Sequence, residues 1–427
     1  MKRTTPFIIL AALLLAALPL KAQQEGEIVD DESCGCELFF VDGIQTTQRD
    51  GLFGFKLADG TELVPPRYMF VDKFQNGYCV VMSSYDSVGL IDRTGREVLP
   101  CIYQDVTYPA DGMIRLRRNN LYGFADTSGR VVIPPQYRAA SGFAEGWAVV
   151  SSDWDSLEVH YGYIDRQGRT ALEPTYQYAY PFSEGRAVVK NYDRFGLIDR
   201  QGRQIMPCKY SEISSVVDGC CFANDPALDR IAMFSANGKQ LTPFVYTNVI
   251  AYSDHLFLAR RDSLLGYLNS RGREVIPFVY SDAGGFVNGF ASVCRNGKYG
   301  IINTKGRTVL PLVYDNTQQQ PGQYQFHEGL ALVEQNGLFG FVNTKGRVVI
   351  PLQYQSAFYF ASGLCPVKTG NAWGFINAQG QMVVPPLFDA ASYFEYGRAE
   401  VVYRGVSHKI NAKGRCVKNC VDFPSYE

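Results

Sequence analysis

The chain has few histidines and lacks the short motifs that mark common enzyme active sites. Its four histidines are His160, His255, His327 and His408, and none has a metal-ligand spacing. No Gly-x-Ser-x-Gly turn, phosphate-binding loop or Cys-x-x-Cys pair occurs. Carboxylates are numerous, so a glycosidase-like pair stays open as an alternative. We expect no catalytic residue, no metal site and no cofactor, and predict that the protein is not an enzyme.

The body of the chain also lacks a charge excess and a long apolar run. Without residues 1–22, three of the 41 basic residues are lost, which leaves 38 against 42 acidic residues. Binding to nucleic acid calls for a strongly basic face. Downstream of residue 22, nothing approaches the roughly 18 apolar residues of a membrane span. We therefore expect no nucleic-acid partner and no stable membrane span.

The N-terminus has the pattern of a secretory signal peptide. Lys2 and Arg3 precede an apolar stretch over residues 7–20, and Ala22 ends a plausible cleavage site. Gln23 follows this site, where a lipid anchor would need a cysteine. The prediction is an exported protein that is periplasmic, at the cell surface or extracellular.

A Gly-x-hydrophobic-Asx-x-x-Gly phrase returns about every 34 residues along the rest of the chain. In nearly every copy a proline follows the leading glycine after 11 residues, an aromatic after 14 and a second glycine after 23. The leading glycine stands at 54, 89, 123, 162, 196, 266, 300, 340 and 374. A fixed period of this size predicts a repeat array in which each unit buries its apolar face against its neighbours.

Residues 299–333 indicate how one module is built. Strands are predicted at 300–303, 307–310 and 330–333, and Asn303 with Gly306 fits a type I turn with a left-handed glycine bulge. Pro311 is expected to end the pairing and to leave Tyr314 in an irregular loop. The fold class is all-β, a tandem array of about ten to eleven three-stranded antiparallel meanders.

The repeat count favours an elongated or superhelical array. Ten repeats exceed the roughly four to eight blades of a propeller, and three strands fall short of four per blade. A closed, propeller-like ring is the alternative. The predicted boundaries are a signal peptide at 1–22, an N-terminal segment with a first capping strand at 23–48, ten repeats at 49–404, and a partial repeat and tail at 405–427.

The aromatic at position 14 has two interpretations. It recurs beside a phenylalanine at position 20, which favours a packed core; a row of exposed tyrosines would instead form a platform for sugar rings. Tyrosines outside this register are better surface candidates, namely Tyr178, Tyr180, Tyr359 and Tyr396.

The Asx position holds Asp in the first half of the chain and Asn from residue 269 onward. A metal ligand or catalytic carboxylate needs the charge, whereas a turn accepts either residue, so we predict a structural turn. An arginine follows four residues later in most copies and forms a ladder along one edge. It either covers the sheet edge and pairs with acids such as Glu145, Glu184 and Glu328, or meets an anionic polymer.

Most of the 11 cysteines are expected to be buried thiols. Cys79, Cys221 and Cys365 share a repeat position at which other copies have alanine, and Cys101 and Cys208 share another. Four cysteines lie off these positions in the end segments and are candidates for disulfide staples, namely Cys34, Cys36, Cys416 and Cys420. A bridge between the two ends would contradict an open array.

These patterns resemble the WG-containing β-repeat family of exported and multidomain bacterial proteins. The Trp-Gly pair itself occurs only at Trp373-Gly374, and elsewhere the aromatic is Phe or Tyr, as in Tyr161 and Phe195. The resemblance covers about residues 50–420. It implies a noncatalytic interaction module without catalytic residues.

Three departures from the repeat are the places where a binding site is expected, although drift is the alternative. The sixth unit has Ala232 and His255 in its glycine positions, and residues 151–160 and 316–325 are insertions. With the surface tyrosines, the candidate binding residues are Trp154, Asp155, Tyr178, Tyr180, His255, Gln319 and Tyr396. The predicted function is a scaffold for protein–protein interaction, and the alternative is glycan or peptidoglycan binding through surface aromatics.

Overall fold

A computed structural model describes residues 40–41, 43–152, 159–315, 325–395, 397–418, 420 and 423. All regular elements in these residues are β-strands. Their contacts divide them into two compact units, residues 40–244 and residues 245–423. The described strands form eleven antiparallel sheets, which we number in chain order.

The first unit contains sheets 1 to 6. Their strands are, for sheet 1, β1 (Phe40–Val41), β2 (Ile44–Arg49), β3 (Leu52–Leu57) and β4 (Glu62–Tyr68); for sheet 2, β5 (Phe70–Val71), β6 (Tyr78–Ser84), β7 (Ser87–Asp92) and β8 (Glu97–Tyr103); for sheet 3, β9 (Asp105–Val106), β10 (Met113–Arg118), β11 (Leu121–Asp126) and β12 (Val131–Tyr137); for sheet 4, β13 (Ala139–Ala140), β14 (Trp147–Ser151), β15 (Tyr161–Asp165) and β16 (Thr170–Tyr176); for sheet 5, β17 (Tyr178–Ala179), β18 (Arg186–Asn191), β19 (Arg194–Asp199) and β20 (Gln204–Tyr210); and for sheet 6, β21 (Glu212–Ile213), β22 (Cys220–Asp225) and β23 (Arg230–Ser235).

The second unit contains sheets 7 to 11. Their strands are, for sheet 7, β24 (Asn248–Ser253), β25 (Leu256–Arg261), β26 (Leu264–Asn269) and β27 (Glu274–Tyr280); for sheet 8, β28 (Asp282–Ala283), β29 (Phe290–Arg295), β30 (Lys298–Asn303) and β31 (Thr308–Tyr314); for sheet 9, β32 (Phe326–His327), β33 (Leu330–Gln335), β34 (Leu338–Asn343) and β35 (Val348–Tyr354); for sheet 10, β36 (Ser356–Ala357), β37 (Leu364–Thr369), β38 (Ala372–Asn377) and β39 (Met382–Phe388); and for sheet 11, β40 (Ala390–Ala391), β41 (Arg398–Tyr403), β42 (Val406–Asn411) and β43 (Cys416–Lys418).

The all-β tandem array is confirmed, and each module is a meander of strands that follow one another in the chain. Most sheets have one strand more than predicted. In sheet 8 this is β28, two residues long, which pairs Asp282 with Cys294 and Ala283 with Val293. Such a short strand gives no periodic signal in the sequence. Most of these modules therefore have four strands, the same number as a propeller blade, so the strand number does not separate the two architectures.

The expectation that proline ends the pairing is wrong. β31 runs through Pro311 to Tyr314, which pairs with Tyr299, while Leu310 pairs with Ile301. The register shift between these two pairs places the proline in a bulge, where no ladder hydrogen bond is required of it. The aromatic at position 14 consequently lies in a strand rather than in a loop.

The leading glycine faces this bulge. A Cβ atom on Gly300 would lie 2.5 Å from the Leu310 carbonyl oxygen, and one on Gly374 would lie 2.6 Å from that of Val384. Real Cβ atoms do not approach carbonyl oxygens so closely. The glycine is thus required by the close approach of two backbones.

Sheet 6 indicates what happens without this glycine. Ala232 occupies the position in β23 and is fully buried. Residues 241–247, which correspond to the fourth strand of the other sheets, form no continuous strand: bridges remain at Gln240 and Tyr246, and the Leu241 N–H donates a hydrogen bond of 2.8 Å to the Met233 carbonyl oxygen. The missing strand is consistent with the volume of the alanine methyl group.

The core lies between consecutive sheets within each unit. One cluster joins Leu265, Tyr267 and Tyr280 of sheet 7 to Phe286 and Val293 of sheet 8, and equivalent clusters join the other consecutive sheets of each unit. The position-14 aromatics are buried in eight copies and half-buried at Tyr137 and Tyr176. The core interpretation of the tyrosine ladder is confirmed.

The cysteines follow the predicted division. Cys79, Cys221 and Cys365 are fully buried, and burial raises the pKa of Cys79 to about 12, so its thiol is inert at physiological pH. Cys101 and Cys208 are half-buried free thiols. Cys416 and Cys420 form a disulfide with each other, within the C-terminal segment. Cys34 and Cys36 lie outside the described residues.

Candidate functional site

Four of the seven predicted binding residues lie outside the described part of the chain, namely Trp154, Asp155, Gln319 and Tyr396. The other three are described. Tyr178 and Tyr180 lie together on the surface of sheet 5, in the first unit. His255 lies at the turn between β24 and β25, in the second unit.

Tyr178 and Tyr180 belong to a continuous surface patch of aromatic rings. The ring centroids are 5.2 Å apart between Tyr161 and Tyr178, 5.0 Å between Tyr178 and Tyr180, and 6.4 Å between Tyr180 and Phe195. Tyr178 is 44% exposed and Tyr180 is 38% exposed. We call these four residues the aromatic surface.

Strand alternation and one hydrogen bond hold the two tyrosines outward. β17 points Tyr178 to the surface and buries Ala179, as successive side chains of a strand face opposite sides. The hydroxyl of the buried Tyr163 donates a hydrogen bond of 2.8 Å to the Tyr180 carbonyl oxygen. The backbone beneath the aromatic surface is therefore fixed by the core.

Burial raises the pKa of the Tyr161 hydroxyl in the aromatic surface, and the neighbouring Tyr178 raises it further. Partial burial raises the pKa of Tyr180, and the neighbouring Tyr178 and Glu212 raise it further. Lys190 borders the patch, with its Nζ 5.7 Å from the Phe195 ring centroid and 2.7 Å from a carboxylate oxygen of Asp193. The surface therefore combines apolar ring faces with neutral hydrogen-bond donors.

Tyr161 and Phe195 were not among the predicted site residues. Each precedes a leading glycine, at the position where the family has tryptophan, so sequence reasoning assigned them only to the repeat. The contact of Tyr161 with Tyr178 follows from packing between sheets 4 and 5, and that of Phe195 with Tyr180 lies within sheet 5. The sequence does contain a signal for them: Tyr161 and Phe195 precede the leading glycines of adjacent repeats, and Tyr178 and Tyr180 lie between them in the chain.

His255 has no comparable surroundings. It is exposed and keeps the left-handed conformation of the glycine that it replaces, with φ of 59°. Its Nδ1 lies 3.3 Å from the hydroxyl oxygen of Tyr252. This is the geometry of a two-residue hairpin turn, and the structural interpretation accounts for it.

Tyr359, the third described member of the four predicted surface tyrosines, is half-buried rather than free on the surface. Its ring centroid is 4.3 Å from that of His327 and 4.7 Å from that of Tyr393. The rings stack against one another, so their faces are largely occupied. This cluster offers less exposed aromatic area than the aromatic surface.

The Asx position is confirmed as a turn. Asp126 Oδ1 accepts hydrogen bonds from the backbone N–H groups of Ser128 and Arg130, and Asn303 Oδ1 accepts the same pair from Lys305 and Arg307. Asp and Asn thus support one geometry, as a turn requires.

The predicted pairing of the arginine ladder with Glu145, Glu184 and Glu328 is wrong. In the first unit each ladder arginine pairs with the aspartate of its own turn; the Nε–Oδ2 distances are 2.9, 3.1, 2.7 and 2.7 Å for Arg96–Asp92, Arg130–Asp126, Arg169–Asp165 and Arg203–Asp199. The turn aspartate is four residues away and already fixed by backbone donors, so it is the nearer partner.

The three glutamates instead join consecutive repeats. Glu184 accepts hydrogen bonds from the backbone N–H groups of Asp218 and Gly219, at 2.8 and 2.7 Å. Glu145 binds the N–H of Gly185 in the same way, and Glu328 that of Gly363. Each carboxylate therefore caps the glycine turn of the next repeat.

No group of three or more His, Cys, Asp or Glu side chains with a metal-binding arrangement occurs in the part of the chain that the structure describes. Across the same residues, no helix is long and apolar enough to cross a membrane.

Comparison of shapes finds similar solved structures. They include a eukaryotic initiation factor (8% identity, TM-score 0.37, 80% of this chain and 95% of that one), the computationally designed Ika8 protein (10%, 0.28, 73% and 93%) and BamB from Moraxella catarrhalis (13%, 0.30, 73% and 94%). No functional role follows from likenesses this weak. No curated protein sequence matches the chain.

The profile of the WG containing repeat matches the chain eight times, at residues 89–122, 122–153, 161–194, 195–224, 266–299, 299–339, 339–371 and 373–406. These segments make up more than half of the sequence. The profile skips the sixth unit, where Ala232 and His255 replace the glycines. The family consists of noncatalytic repeat domains, and this chain belongs to the WG containing repeat family.

Proposed function

We propose that this protein is an exported scaffold that binds a protein partner in the cell envelope or outside the cell, through the aromatic surface of the first unit. The observation that carries the proposal is the pair of exposed tyrosines, Tyr178 and Tyr180, in ring contact with the half-buried Tyr161 and Phe195. Export rests on the signal-peptide pattern of residues 1–22.

The chemistry of the aromatic surface suits a protein interface. Tyrosine is enriched among the residues that dominate binding energy, because one side chain supplies a large apolar face and a hydroxyl group. Tyr178 and Tyr180 are rigidly supported, since Ala179 between them is buried and the Tyr180 carbonyl is held by Tyr163. Little ordering is then needed on binding.

The ring geometry favours a protein over a sugar as the partner. The rings of Tyr161 and Tyr178 are inclined by 53°, and those of Tyr178 and Tyr180 by 62°. Stacking of sugar rings uses a flat aromatic face, and these inclined rings do not form one plane. Glycan or peptidoglycan binding remains the competing hypothesis for the test below.

The test is affinity capture with residues 23–427 as bait against the envelope fraction of the source organism. Three baits are compared: the wild-type protein, Tyr178→Ala/Tyr180→Ala, and the matched control Tyr85→Ala/Tyr192→Ala. Tyr85 and Tyr192 are 85% and 90% exposed but lie outside the aromatic surface, so the control removes the same groups.

We expect one protein in stoichiometric amount with the wild-type and control baits, and its loss with Tyr178→Ala/Tyr180→Ala. Recovery of the same protein by all three baits would refute the assignment to the aromatic surface. Recovery of polysaccharide without protein would refute the protein partner and favour the glycan hypothesis.

A further inference from the structure

The ladder turns of the second unit differ from those of the first in charge. The turns at 92–96, 126–130, 165–169 and 199–203 hold seven basic and four acidic residues. The turns at 269–273, 303–307 and 343–347 hold six basic residues and no acidic one, because Asn replaces Asp at the first position. The next turn, at 377–381, has no charged residue and ends this series, and the turn at 411–415 beyond it has two basic residues.

This difference changes the partners of the arginines. In the first unit each ladder arginine has a carboxylate within 3.1 Å in its own turn. In addition, Arg166 pairs with Asp111, and Arg200 with Glu145. In the second unit Asn303 and Asn343 accept only backbone hydrogen bonds from the equivalent turns. Within the described residues, no ion pair is recorded for the basic side chains of these turns: Arg271, Arg273, Lys305, Arg307, Lys345 and Arg347.

The charged turns lie side by side. A Cβ atom on Gly306 would lie 3.2 Å from Cγ1 of Ile276, which follows the preceding turn in β27. Gly346 approaches the Val309 carbonyl in the same way, and a Cβ on Gly380 would lie 3.4 Å from Cγ1 of Ile350. The turns at 303–307, 343–347 and 377–381 therefore each pack against the strand that leaves the turn before them. Stacked sheets repeat at about 10 Å, so the cations form a row of that period.

All six basic side chains are exposed. Their nearest acidic neighbour in the sequence, Glu274, already pairs with Arg261 at 3.3 Å. Like charges brought together at this spacing repel one another, which raises the affinity for an anion that neutralises the row.

We propose that the turns 269–273, 303–307 and 343–347, the cationic row, bind an extended acidic polysaccharide. Each turn presents two long, flexible cations without an aromatic residue or an enclosing pocket, so a single contact is weak. A protein hot spot needs anchors enclosed in a packed centre. A polymer with regularly repeated carboxylates instead engages several turns at once and gains by multivalency.

The family profile includes these turns as ordinary repeat positions, and the proposed protein partner contacts a different unit. The two proposals are therefore independent. Together they describe a scaffold that joins a protein to an anionic polymer of the envelope.

The test uses Asn269→Asp/Asn303→Asp/Asn343→Asp, which gives the second unit the turn chemistry of the first. Asp and Asn support the same turn, so the fold is retained, and each new aspartate pairs with its own arginine. The matched control, Asp92→Asn/Asp126→Asn/Asp165→Asn, makes the reverse exchange in the first unit. A second variant, Lys305→Gln/Arg307→Gln/Lys345→Gln/Arg347→Gln, removes the cations and leaves the turn hydrogen bonds intact.

Binding is measured with a polyuronate oligosaccharide of defined length, with neutral dextran and single-stranded DNA as comparison ligands. We expect the wild-type protein to bind the polyuronate, with an affinity that falls steeply as the salt concentration rises. The Asn→Asp and Gln variants should bind at least about tenfold more weakly. The reverse exchange should not weaken binding.

Equal polyuronate affinity of the wild-type protein and both second-unit variants would overturn the proposal, as would equal binding of dextran. Tighter binding of single-stranded DNA than of polyuronate, with the same sensitivity to the variants, would overturn the assignment to a polysaccharide. Near-ultraviolet circular dichroism shows whether each variant is folded. If the Asn→Asp variant does not fold, the affinity of the Gln variant tests the proposal.

Discussion

Gly300→Ala is expected to detach the fourth strand of sheet 8. The new methyl group would lie 2.5 Å from the Leu310 carbonyl oxygen, and backbone atoms of Pro311 and Leu312 are 3.0 Å away. Neither strand has a flexible side chain that can yield at this contact. β31 must therefore move away from β30 at this contact; beside Ala232 in sheet 6, the equivalent segment forms no continuous strand.

The magnitude follows from what β31 contributes. Forcing an extra methyl group into a packed site costs about 1–3 kcal/mol. Displacement of β31 would also expose Leu310 and Tyr314, which are 0% and 6% exposed, at about 1.5–3 kcal/mol each if fully lost. We expect the local free energy of unfolding to fall by about 3 kcal/mol or more.

Native-state hydrogen exchange at residues 308–314 measures this loss directly. Gly142→Ala is the matched control, because a Cβ there would meet only the Ala110 Cβ at an ordinary 3.7 Å. Gly300→Ala should speed exchange in β31, while distant sheets keep their protection, since each repeat contacts only its neighbours. Unchanged exchange in β31 would refute the explanation of the leading glycine.

Three further predictions follow from the fold. Tyr280→Ala should destabilise the second unit by about 3–5 kcal/mol in urea unfolding, because Tyr280 is 8% exposed, whereas Tyr192→Ala should change stability by less than about 0.5 kcal/mol; equal effects would contradict the core assignment. The Ser128 hydroxyl and the hydrogen-bond donors of Arg130 lower the pKa of Asp126. The contribution of this carboxylate to stability is therefore present above the unfolded-state pKa of about 3.9 and is lost as the pH falls below it. In Asp126→Asn, unfolding curves measured across that pH range should lack this acid-dependent loss. Cys416→Ala/Cys420→Ala should lower the stability of sheet 11 by about 2 kcal/mol and leave hydrogen exchange in residues 40–244 unchanged.

The repeat register predicted the modules well because each mark has a local physical cause. Asn303 and Gly306 define a turn by hydrogen bonds within five residues, and Tyr314 recurs because each sheet buries its aromatic against the next. The path of β31 through Pro311 was missed, since a bulge depends on the facing strand and not on the proline alone.

The candidate site was predicted only in part. Tyr178 and Tyr180 were identified because they fall outside the repeat positions, and they are exposed. Tyr161 and Phe195 were missed because their repeat position explained them already. The partners of the ladder arginines were predicted wrongly. Each arginine of the first unit pairs with the aspartate that its own turn already holds in place, as Arg130 does with Asp126, while Glu184 binds the backbone of the next repeat.

The aromatic surface is the centre of this account, and one binding measurement tests it most directly. The equilibrium affinity of the captured partner is compared for the wild-type protein, Tyr178→Ala/Tyr180→Ala and Tyr192→Ala. The account predicts that the double variant loses about 2 kcal/mol or more, roughly thirtyfold, and that Tyr192→Ala binds as the wild type does. Equal affinities for all three proteins would contradict it.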